Sequence, residues 1–400
     1  MTIPTPRGAS GLRPRVTDYS VAGYGAMIDD AVRVDAYRSA LRRVVSDESV
    51  VLDLGAGTGI FSLLACQFGA RKVYAVEPGE SIHVARRLAT DNGFADRIVF
   101  IQDVSSRISF DEKADVVISD LRGRLPLFER HIDTIVDVRR RLLRPGGVQI
   151  SQQDVIWVSL VDSPEMYEST VARTNRDRFG FDFGHLREMA SNAFHGRRVE
   201  SAQLATEPKP WTRLDYRTIT SSDAAGEIGW EIDRARTLHG FAMWFDAVVF
   251  DDITFSNAPG GTGAIHGQTF FPWSRPVDLA AGDRVRVKLN AKLIHDDYVW
   301  RWRTEITDRS GGIREAFDQS TFKLLFGSMD RLRRRTEEHR PGLNEDGRVQ
   351  LELLQGLRDG EALGPLAERL QERFPGYFRG PRAAFTAVAD AAEAYGDDGG

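Results

Sequence analysis

Residues 51–60 read Val-Leu-Asp-Leu-Gly-Ala-Gly-Thr-Gly-Ile, an apolar run that passes directly into a glycine-rich turn. Glycine lets the backbone approach a bound ligand closely, and a helix that begins after such a turn offers free N–H groups. The stretch therefore predicts a strand, a ligand-binding loop and a helix. The alternative is a tight turn from strand to helix that binds nothing.

The spacing of the glycines indicates which ligand the loop binds. A dinucleotide site has the spacing G-x-G-x-x-G, whereas Gly55, Gly57 and Gly59 follow Asp53 as G-x-G-x-G. This difference favours S-adenosylmethionine over NAD.

The sequence around the loop alternates short apolar runs with longer amphipathic ones, which is typical of βαβ units. Strands are predicted at 50–54, 72–76, 98–102 and 116–119, and helices at 24–45, 60–68, 82–90 and 132–143. Pro145, Gly146 and Gly147 are expected to end the last of these helices. We therefore predict a doubly wound α/β domain over residues 19–150, after a flexible N-terminus at 1–18.

Beyond residue 150 the pattern changes to interleaved polar and apolar residues without crossover helices. Antiparallel strands are predicted at 155–160, 240–250 and 284–294, in a β-rich domain that extends to residue 330. The aromatic and charged stretch 167–194 interrupts this domain and is expected to meet a partner subunit. Residues 331–400 have helical leucine spacing and predict a small helical appendage with a disordered acidic tail.

The composition excludes several classes of function. The 400 residues include 53 basic and 58 acidic side chains, a net charge of −5, which gives no polybasic footprint for nucleic acid. No apolar run is long enough to cross a membrane, and the first residues lack the apolar stretch of a signal peptide. We expect a cytoplasmic protein without a metal site, in which the single cysteine, Cys66, is a small buried hydrophobe.

Three further residues are candidates for binding the cofactor. Glu77 ends the second predicted strand, at the edge where such sheets bind ligands, and its carboxylate can accept both hydroxyls of a ribose. Asp103 follows the third strand and can accept the adenine amino group, and Arg33 can pair with the methionyl carboxylate. The alternative for both acids is a solvated position at a strand end or in a loop.

Several segments together resemble the protein arginine methyltransferase family. They are Met27–Arg33 with Ala36-Tyr37, Asp53–Gly59, Val73–Glu77 and Ser119–Glu129, and the similarity extends over roughly residues 19–325. The resemblance implies a Rossmann-like class I methyltransferase domain, then a β-barrel with a dimerisation arm near 167–200, and hence a homodimer. It also implies that the acceptor binds between the two domains.

The resemblance assigns roles to residues of the cofactor site. It implies that Arg33 holds the methionyl carboxylate, that Glu77 holds the ribose, and that Val104 and Ser105 contact the adenine. The family usually has an acid at the position of Ser105, so this contact departs from its pattern.

Ser119–Glu129 resembles the family's hairpin with two glutamates, here Asp120 and Glu129. Two carboxylates can hold a planar guanidinium through paired hydrogen bonds and direct one nitrogen at the methyl donor. Two solvated loop acids are the alternative. Tyr24 and Met27 are expected to line the acceptor pocket.

The hairpin and the loop that closes the site depart from the family. The family's Trp-Met-Gly-Tyr is here Leu121-Arg122-Gly123-Arg124. Arg122 and Arg124 either neutralise the acids, receive the carboxylate of a free amino acid, or face solvent. The family's Thr-His-Trp loop corresponds to residues 264–268, where His266 is displaced by one position and would pair with Asp30.

These features predict an arginine N-methyltransferase that acts on free arginine or a guanidino metabolite in preference to peptidyl arginine. A second hypothesis keeps the cofactor but assigns another small metabolite, with an O-, C- or other N-acceptor and Asp120 as general base. A third is a catalytically inactive scaffold protein whose helical tail binds a partner.

Overall fold

The computed structural model describes residues 21–175, 180–261, 267–324 and 338–396. These residues fall into two compact units, one within 17–326 and the other within 327–400. The predicted flexible N-terminus at 1–18 and the last four residues of the predicted tail lie outside the described residues. Within the described ranges, no helix combines the length and the apolar composition needed to cross a bilayer.

The first half of the larger unit is a parallel sheet with its helices. The strands are β1 (Val50–Leu54), β2 (Lys72–Val76), β3 (Ile98–Ile101), β4 (Ala114–Ser119) and β5 (Leu143–Ile150). The helices are α1 (Val21–Asp29), α2 (Ala31–Val44), α3 (Ile60–Gln67), α4 (Ser81–Asp91) and α5 (His131–Arg141). All five residues of β1 are buried, as expected for a parallel strand covered on both faces. The predicted doubly wound α/β fold is confirmed.

The strand order of this sheet is β3-β2-β1-β4-β5, so the order reverses between β1 and β4. In open α/β sheets, ligands bind at the carboxyl ends of the strands where the order reverses. The glycine loop follows β1 and the acid hairpin follows β4, which places both motifs at this point.

One local prediction in this domain is wrong. Pro145, Gly146 and Gly147 do not end α5, which already ends at Arg141; they lie inside β5. The pairing of β4 with β5 shifts register between Ala114 and Val116, so the ladder accommodates a proline and the left-handed Gly146 there.

The second half of the larger unit contains two antiparallel sheets. The strands are β6 (Gln153–Val161), β7 (His195–Arg197), β8 (Lys209–Asp215), β9 (Ala224–Glu231), β10 (Arg236–Phe250), β11 (Ile253–Ser256), β12 (Gln268–Leu279), β13 (Arg284–Ile294), β14 (Asp297–Thr307) and β15 (Ile313–Ser320). One sheet has the order β7-β12-β10-β6-β8 with β11 paired to β10, and the other has β15-β14-β13-β9. Among the described strands, no ladder joins the two sheets into the closed ring of the expected barrel.

The two antiparallel sheets meet across an aromatic core. Phe271 of β12 lies 5.5 Å from Trp300 and 5.1 Å from Trp302 of β14, measured between ring centroids. Along β13, buried and exposed residues alternate from Arg284 onward, so one face of its sheet packs on this core and the other faces solvent. The predicted interruption of the β-rich half contains α6 (Pro164–Thr170) and α7 (Gly184–Ser191).

The C-terminal unit contains the helices α8 (Glu345–Arg358), α9 (Leu363–Arg373) and α10 (Pro381–Tyr395). Its own core is formed by Leu353, Leu366, Leu370 and Val388. The predicted helical appendage is therefore present. The buried residues of α8 are Val349, Leu353 and Gly356, whereas Leu351 and Leu354, which contributed to the predicted leucine spacing, are exposed. The domain boundaries at 150 and 330 stay predictions.

Candidate active site

The glycine loop between β1 and α3 has a backbone that requires glycine. Gly55, Gly57 and Gly59 have φ values of +73°, +53° and +83°, in the left-handed region that side chains disfavour. A Cβ atom at Gly57 would lie 3.2 Å from Cε1 of Tyr24, so the ring of Tyr24 in α1 lies directly against the loop. The loop is thus covered from one side by an aromatic ring. The expected place of Tyr24 in the acceptor pocket stays a prediction.

Glu77 holds the loop to the next strand end. Its Oε2 accepts a hydrogen bond from the backbone N–H of Gly57 at 3.0 Å, and its Oε1 accepts one from Gly79 at 2.8 Å. The carboxylate is largely buried and lies at the carboxyl end of β2. Both carboxylate oxygens thus accept hydrogen bonds from backbone N–H groups, and the role of Glu77 toward a ribose stays a prediction.

Asp53 lies in β1, one residue before that strand ends at Leu54. It is 1% exposed and accepts a hydrogen bond of 2.6 Å from the Ser62 hydroxyl in α3. Burial raises the pKa of Asp53 to about 7, and the neighbouring carboxylates of Glu77 and Asp120 add to this effect, although the Ser62 hydrogen bond opposes it. Asp53 thus supports the loop from beneath.

The predicted adenine contacts follow β3. Asp103 accepts a hydrogen bond of 2.7 Å from the backbone N–H of Val104, and Ser105 is buried, with its carbonyl oxygen bound by Arg141. The roles of Asp103, Val104 and Ser105 toward adenine stay predictions.

The acid hairpin is brought to the glycine loop by the pairing of β1 with β4. Leu54 pairs with Ser119, so Gly55 and Asp120 are the next residues along two neighbouring strands. A Cβ atom at Gly55 would lie only 2.2 Å from Cδ2 of Leu121, which shows that the hairpin packs tightly on the loop. The two motifs form one site.

Asp120 is held by three donors. Its Oδ2 accepts a hydrogen bond from Nη1 of Arg33. Its Oδ1 accepts hydrogen bonds from the Tyr37 hydroxyl at 3.2 Å and from Nη1 of Arg122 at 3.3 Å. Arg33 also donates to the carbonyl oxygen of Met27. The expected cofactor arginine and the expected acceptor acid are therefore direct neighbours.

Glu129 ends the hairpin just before α5. Its φ of +42° lies in the left-handed region, which is uncommon for a residue other than glycine. A strained backbone of this kind persists only where surrounding contacts hold it, and such residues are often found at functional sites. The side chain is half-buried. Its role toward an acceptor stays a prediction.

Comparison with known proteins matches both halves of this architecture. Residues 38–151 match the family model of ribosomal protein L11 methyltransferase, and residues 153–307 match that of the arginine methyltransferase oligomerization subdomain. Protein arginine N-methyltransferase 1 of Schizosaccharomyces pombe is 29% identical over 274 residues, which cover 66% of this chain and 80% of that protein. Human protein arginine N-methyltransferase 2 is 30% identical over 293 residues, 69% of this chain and 66% of that protein. The chain belongs to the protein arginine methyltransferase family.

Solved structures of this family have the same fold. Arabidopsis thaliana protein arginine methyltransferase 10 aligns with a TM-score of 0.65 and 26% identity, over 75% of this chain and 97% of that one. The Trypanosoma brucei PRMT1 enzyme-prozyme heterotetrameric complex with AdoHcy aligns with a TM-score of 0.67 and 24% identity, over 74% and 96%. The chain spans 58% of the length of a probable protein arginine N-methyltransferase 6 of Arabidopsis thaliana.

Arg122, which replaces the methionine of the arginine methyltransferase hairpin, lies in the interior. Its side chain is 1% exposed, and its Nε donates to Oδ2 of Asp154 at 3.0 Å while its Nη1 donates to the Tyr37 hydroxyl at 2.8 Å. Burial alone would lower the pKa of Arg122, but Asp154, Tyr37 and Asp120 raise it well above its ordinary value, so the guanidinium stays charged. We therefore revise the expected contact with an acceptor carboxylate: this placement favours the neutralising role.

Asp154 and Tyr216 complete this cluster, and neither is predicted from the sequence. The Tyr216 hydroxyl donates to Oδ2 of Asp154 at 2.5 Å, and Asp154 is fully buried in β6. One signal was available, because Asp154 has the same parity as the inward-facing Ile156 and Val158 of its strand. An acid at an inward position requires an internal partner.

Arg124 is the other departure in the acid hairpin. Arg124 is exposed, and its backbone carbonyl accepts a weak hydrogen bond of 3.4 Å from Nδ2 of Asn257. Asn257 also donates to the carbonyl oxygen of Gly267 at 3.3 Å, which ties the acid hairpin to the residue just before β12. His266 lies outside the described residues. Its expected partner Asp30 is buried at the N-terminus of α2, where it accepts a hydrogen bond from the backbone of Arg33.

Proposed function

We propose that the chain transfers a methyl group from S-adenosylmethionine to a guanidino nitrogen of arginine. The observation that carries this proposal is the pairing of Leu54 with Ser119, which sets the glycine loop beside Asp120 at the reversal point of the sheet. A loop suited to the cofactor and an acid suited to a guanidinium are thereby in contact.

The residues around the loop fit this cofactor. The left-handed glycines give the loop a backbone path that other residues disfavour, Glu77 offers an acidic acceptor for a ribose, and Arg33 offers a cation for a carboxylate. Asp103, Val104 and Ser105 would lie toward the adenine. When bound, the cofactor would supply an electrophilic methyl group on a sulfonium. The acceptor nitrogen would form the new N–C bond as the S–C bond breaks, with S-adenosylhomocysteine as the leaving group and one proton released from that nitrogen.

Asp120 and Glu129 are proposed to hold the acceptor. A guanidinium is protonated at neutral pH, because its ordinary pKa lies far above 7, and its lone pairs are delocalised. Carboxylates that bind one end of the group concentrate electron density on the attacking nitrogen and fix its direction. The chain's own contribution is therefore positioning and charge, and strong acid–base chemistry is not required.

Free arginine or a small guanidino compound is the acceptor that we propose, ahead of peptidyl arginine. Arg124 supports this choice, because it is an exposed cation within the acid hairpin and can meet an acceptor carboxylate. Arg122 does not support a free amino acid as acceptor, since its guanidinium forms a buried ion pair with Asp154. The named relatives are protein arginine methyltransferases, so peptides belong in the same experiment.

The test is mass spectrometry after incubation of the purified chain with S-adenosylmethionine and, separately, free L-arginine, an arginine-rich peptide and unrelated metabolites. Methylated arginine is the expected product. Transfer to the peptide alone would overturn the choice of acceptor, and transfer only to unrelated metabolites would overturn the reaction itself.

The variant Glu129→Gln tests whether Asp120 and Glu129 bind the acceptor guanidinium together. We expect methyl transfer to fall by about 100-fold or more, because one anionic contact to the guanidinium is lost, while the affinity for S-adenosylhomocysteine changes little. Glu165→Gln, at an exposed position in α6, is the matched control. Wild-type turnover in Glu129→Gln would exclude binding of the guanidinium by both carboxylates.

We also propose a homodimer in the cytoplasm. The second half of the larger unit matches the oligomerization subdomain of the family, and its helical interruption exposes the apolar side chains of Phe181, Leu186 and Phe194. Sedimentation analysis should give twice the mass of one chain, and a concentration-independent monomer would contradict this assembly.

A further inference from the structure

The interior of the proposed site contains a charged residue that acceptor binding does not require by itself. Arg122 is enclosed by three aromatic rings, with its guanidinium carbon 5.3 Å from the centre of Phe255, 5.5 Å from Phe245 and 6.0 Å from Tyr37. An arginine in such surroundings is stabilised by the ring faces but still needs anionic partners. It has two, and they come from different halves of the larger unit.

The first partner, Asp154, anchors Arg122. It is fully buried in β6, and its Oδ2 accepts hydrogen bonds from Nε of Arg122 at 3.0 Å and from the Tyr216 hydroxyl at 2.5 Å. Because both groups of this ion pair are buried, the guanidinium is fixed in place and can direct its remaining donors.

The second partner is Asp120. Nη1 of Arg122 reaches Oδ1 of Asp120 at 3.3 Å and the Tyr37 hydroxyl at 2.8 Å, and Tyr37 in turn donates to the same Oδ1. One carboxylate oxygen is therefore committed to the interior. The other oxygen, Oδ2, meets Arg33, the arginine that we assign to the cofactor carboxylate.

We propose that Arg122 is a positioning residue for the acceptor: anchored by Asp154, it fixes Oδ1 of Asp120 and so sets the orientation of Oδ2. Arg33 holds Oδ2 in this structure, and Oδ2 would face the incoming guanidinium once Arg33 pairs with the cofactor carboxylate. This inference rests on the proposed function. It explains how an aspartate, one methylene shorter than the family's glutamate, is held in a single orientation. The Asp154–Arg122 pair thus extends the acceptor site into the second half of the larger unit.

Two variants test the role of Arg122. Arg122→Lys keeps the charge but cannot reach Asp154 and Asp120 with a planar fork, and we expect the acceptor KM to rise about tenfold while kcat changes less than about threefold. Arg122→Met/Asp154→Asn removes both buried charges together, so no uncompensated ion is left, and should raise the acceptor KM at least as much. S-adenosylhomocysteine should bind both variants as it binds the wild type.

Tyr298→Phe is the matched control. It removes a buried tyrosine hydrogen bond of 2.8 Å to the carbonyl oxygen of Ser222, which belongs neither to the Arg122 cluster nor to the acid hairpin. We expect a lower melting temperature and a wild-type acceptor KM.

The assays use free L-arginine and an arginine-rich peptide as probes. A wild-type acceptor KM in Arg122→Lys, or a rise in KM that follows the loss of melting temperature equally in Arg122→Lys and Tyr298→Phe, would overturn the positioning role. If the double variant does not fold, the comparison of Arg122→Lys with Tyr298→Phe decides. A wild-type chain that methylates neither probe would overturn the proposed function, and this inference with it.

Discussion

At the residue scale, Gly57 combines two constraints that make it the most sensitive position of the loop. Its φ is +53°, and a side chain there would press on the ring of Tyr24. Gly93, in the turn after α4, has a similar φ of +74° but open space around it. Substitution at Gly93 therefore measures the effect of backbone strain alone, whereas substitution at Gly57 adds the effect of a side chain inside the loop.

We expect Gly57→Ala to weaken the binding of S-adenosylhomocysteine by about tenfold or more, because the added methyl group displaces Tyr24 and occupies space at the loop. Gly93→Ala should cost about 1 kcal/mol of stability, from the left-handed backbone alone, without changing affinity. Isothermal titration and thermal unfolding measure the two effects. Equal affinities in the two variants would mean that the loop does not contact the cofactor.

Asp53 gives a prediction about pH. Burial raises its pKa from 3.8 to about 7, so the folded chain keeps a proton that the unfolded chain loses as the pH rises above about 4. The free energy of unfolding should therefore fall between about pH 4 and pH 7, by up to about 4 kcal/mol for this group. Asp53→Asn keeps an acceptor for Ser62 but does not titrate.

The measurement is urea unfolding of the wild type and Asp53→Asn between pH 5 and pH 8. The wild type should lose stability relative to the variant as the pH increases. Parallel profiles would show that Asp53 is ionised in the folded chain throughout this range.

At the element scale, the acid hairpin is closed by the packing of Phe128 on Gly123. A Cβ atom at Gly123 would lie 2.8 Å from Cδ2 and 2.9 Å from Cγ of Phe128, the residue directly before Glu129. Extra volume here must therefore displace the end of the hairpin, and with it the second acid.

We expect Gly123→Ala to reduce methyl transfer by about tenfold or more with little change in cofactor affinity, because a shift of about 1 Å in a positioning group is that costly. Adding Phe128→Leu returns space to the hairpin and should restore part of the activity. Steady-state kinetics of the single and double variants measure this. A double variant as slow as Gly123→Ala would indicate that the backbone of Gly123, and not its space, matters.

At the scale of the whole molecule, the chain contains two compact units with separate cores. Leu289 in β13 and Leu366 in α9 are both fully buried leucines, one in each unit. Truncation of such a side chain costs about 2–5 kcal/mol. The two positions can therefore report on the units one at a time.

We expect calorimetry of the full chain to show that Leu366→Ala lowers a transition that S-adenosylhomocysteine does not affect. Leu289→Ala should instead lower the transition that the ligand raises, because only the unit with the glycine loop binds it. A single transition that moves with both variants and with the ligand would show that the two units unfold together.

The sequence alone predicted those features that depend on local pattern. The run 51–60 predicted β1, the loop and α3, and the spacing of Glu77 placed it at the correct strand end, because strands and turns are governed by neighbouring residues. The hairpin could be located by its resemblance to the family. The prediction that residues 145–147 end a helix was wrong, because these residues pair within β5 and the helix ends earlier, at Arg141.

Only the tertiary structure decided which side chains meet. Arg122 was ambiguous in the sequence, and its role depends on Asp154, which lies 32 residues away on a strand of the other half. Tyr24 comes to lie on Gly57, and Asp120 beside Gly55, through helix packing and the register of β1 with β4. Such contacts arise from long-range pairing and burial, which fix the partners of a charge only when the whole chain has folded.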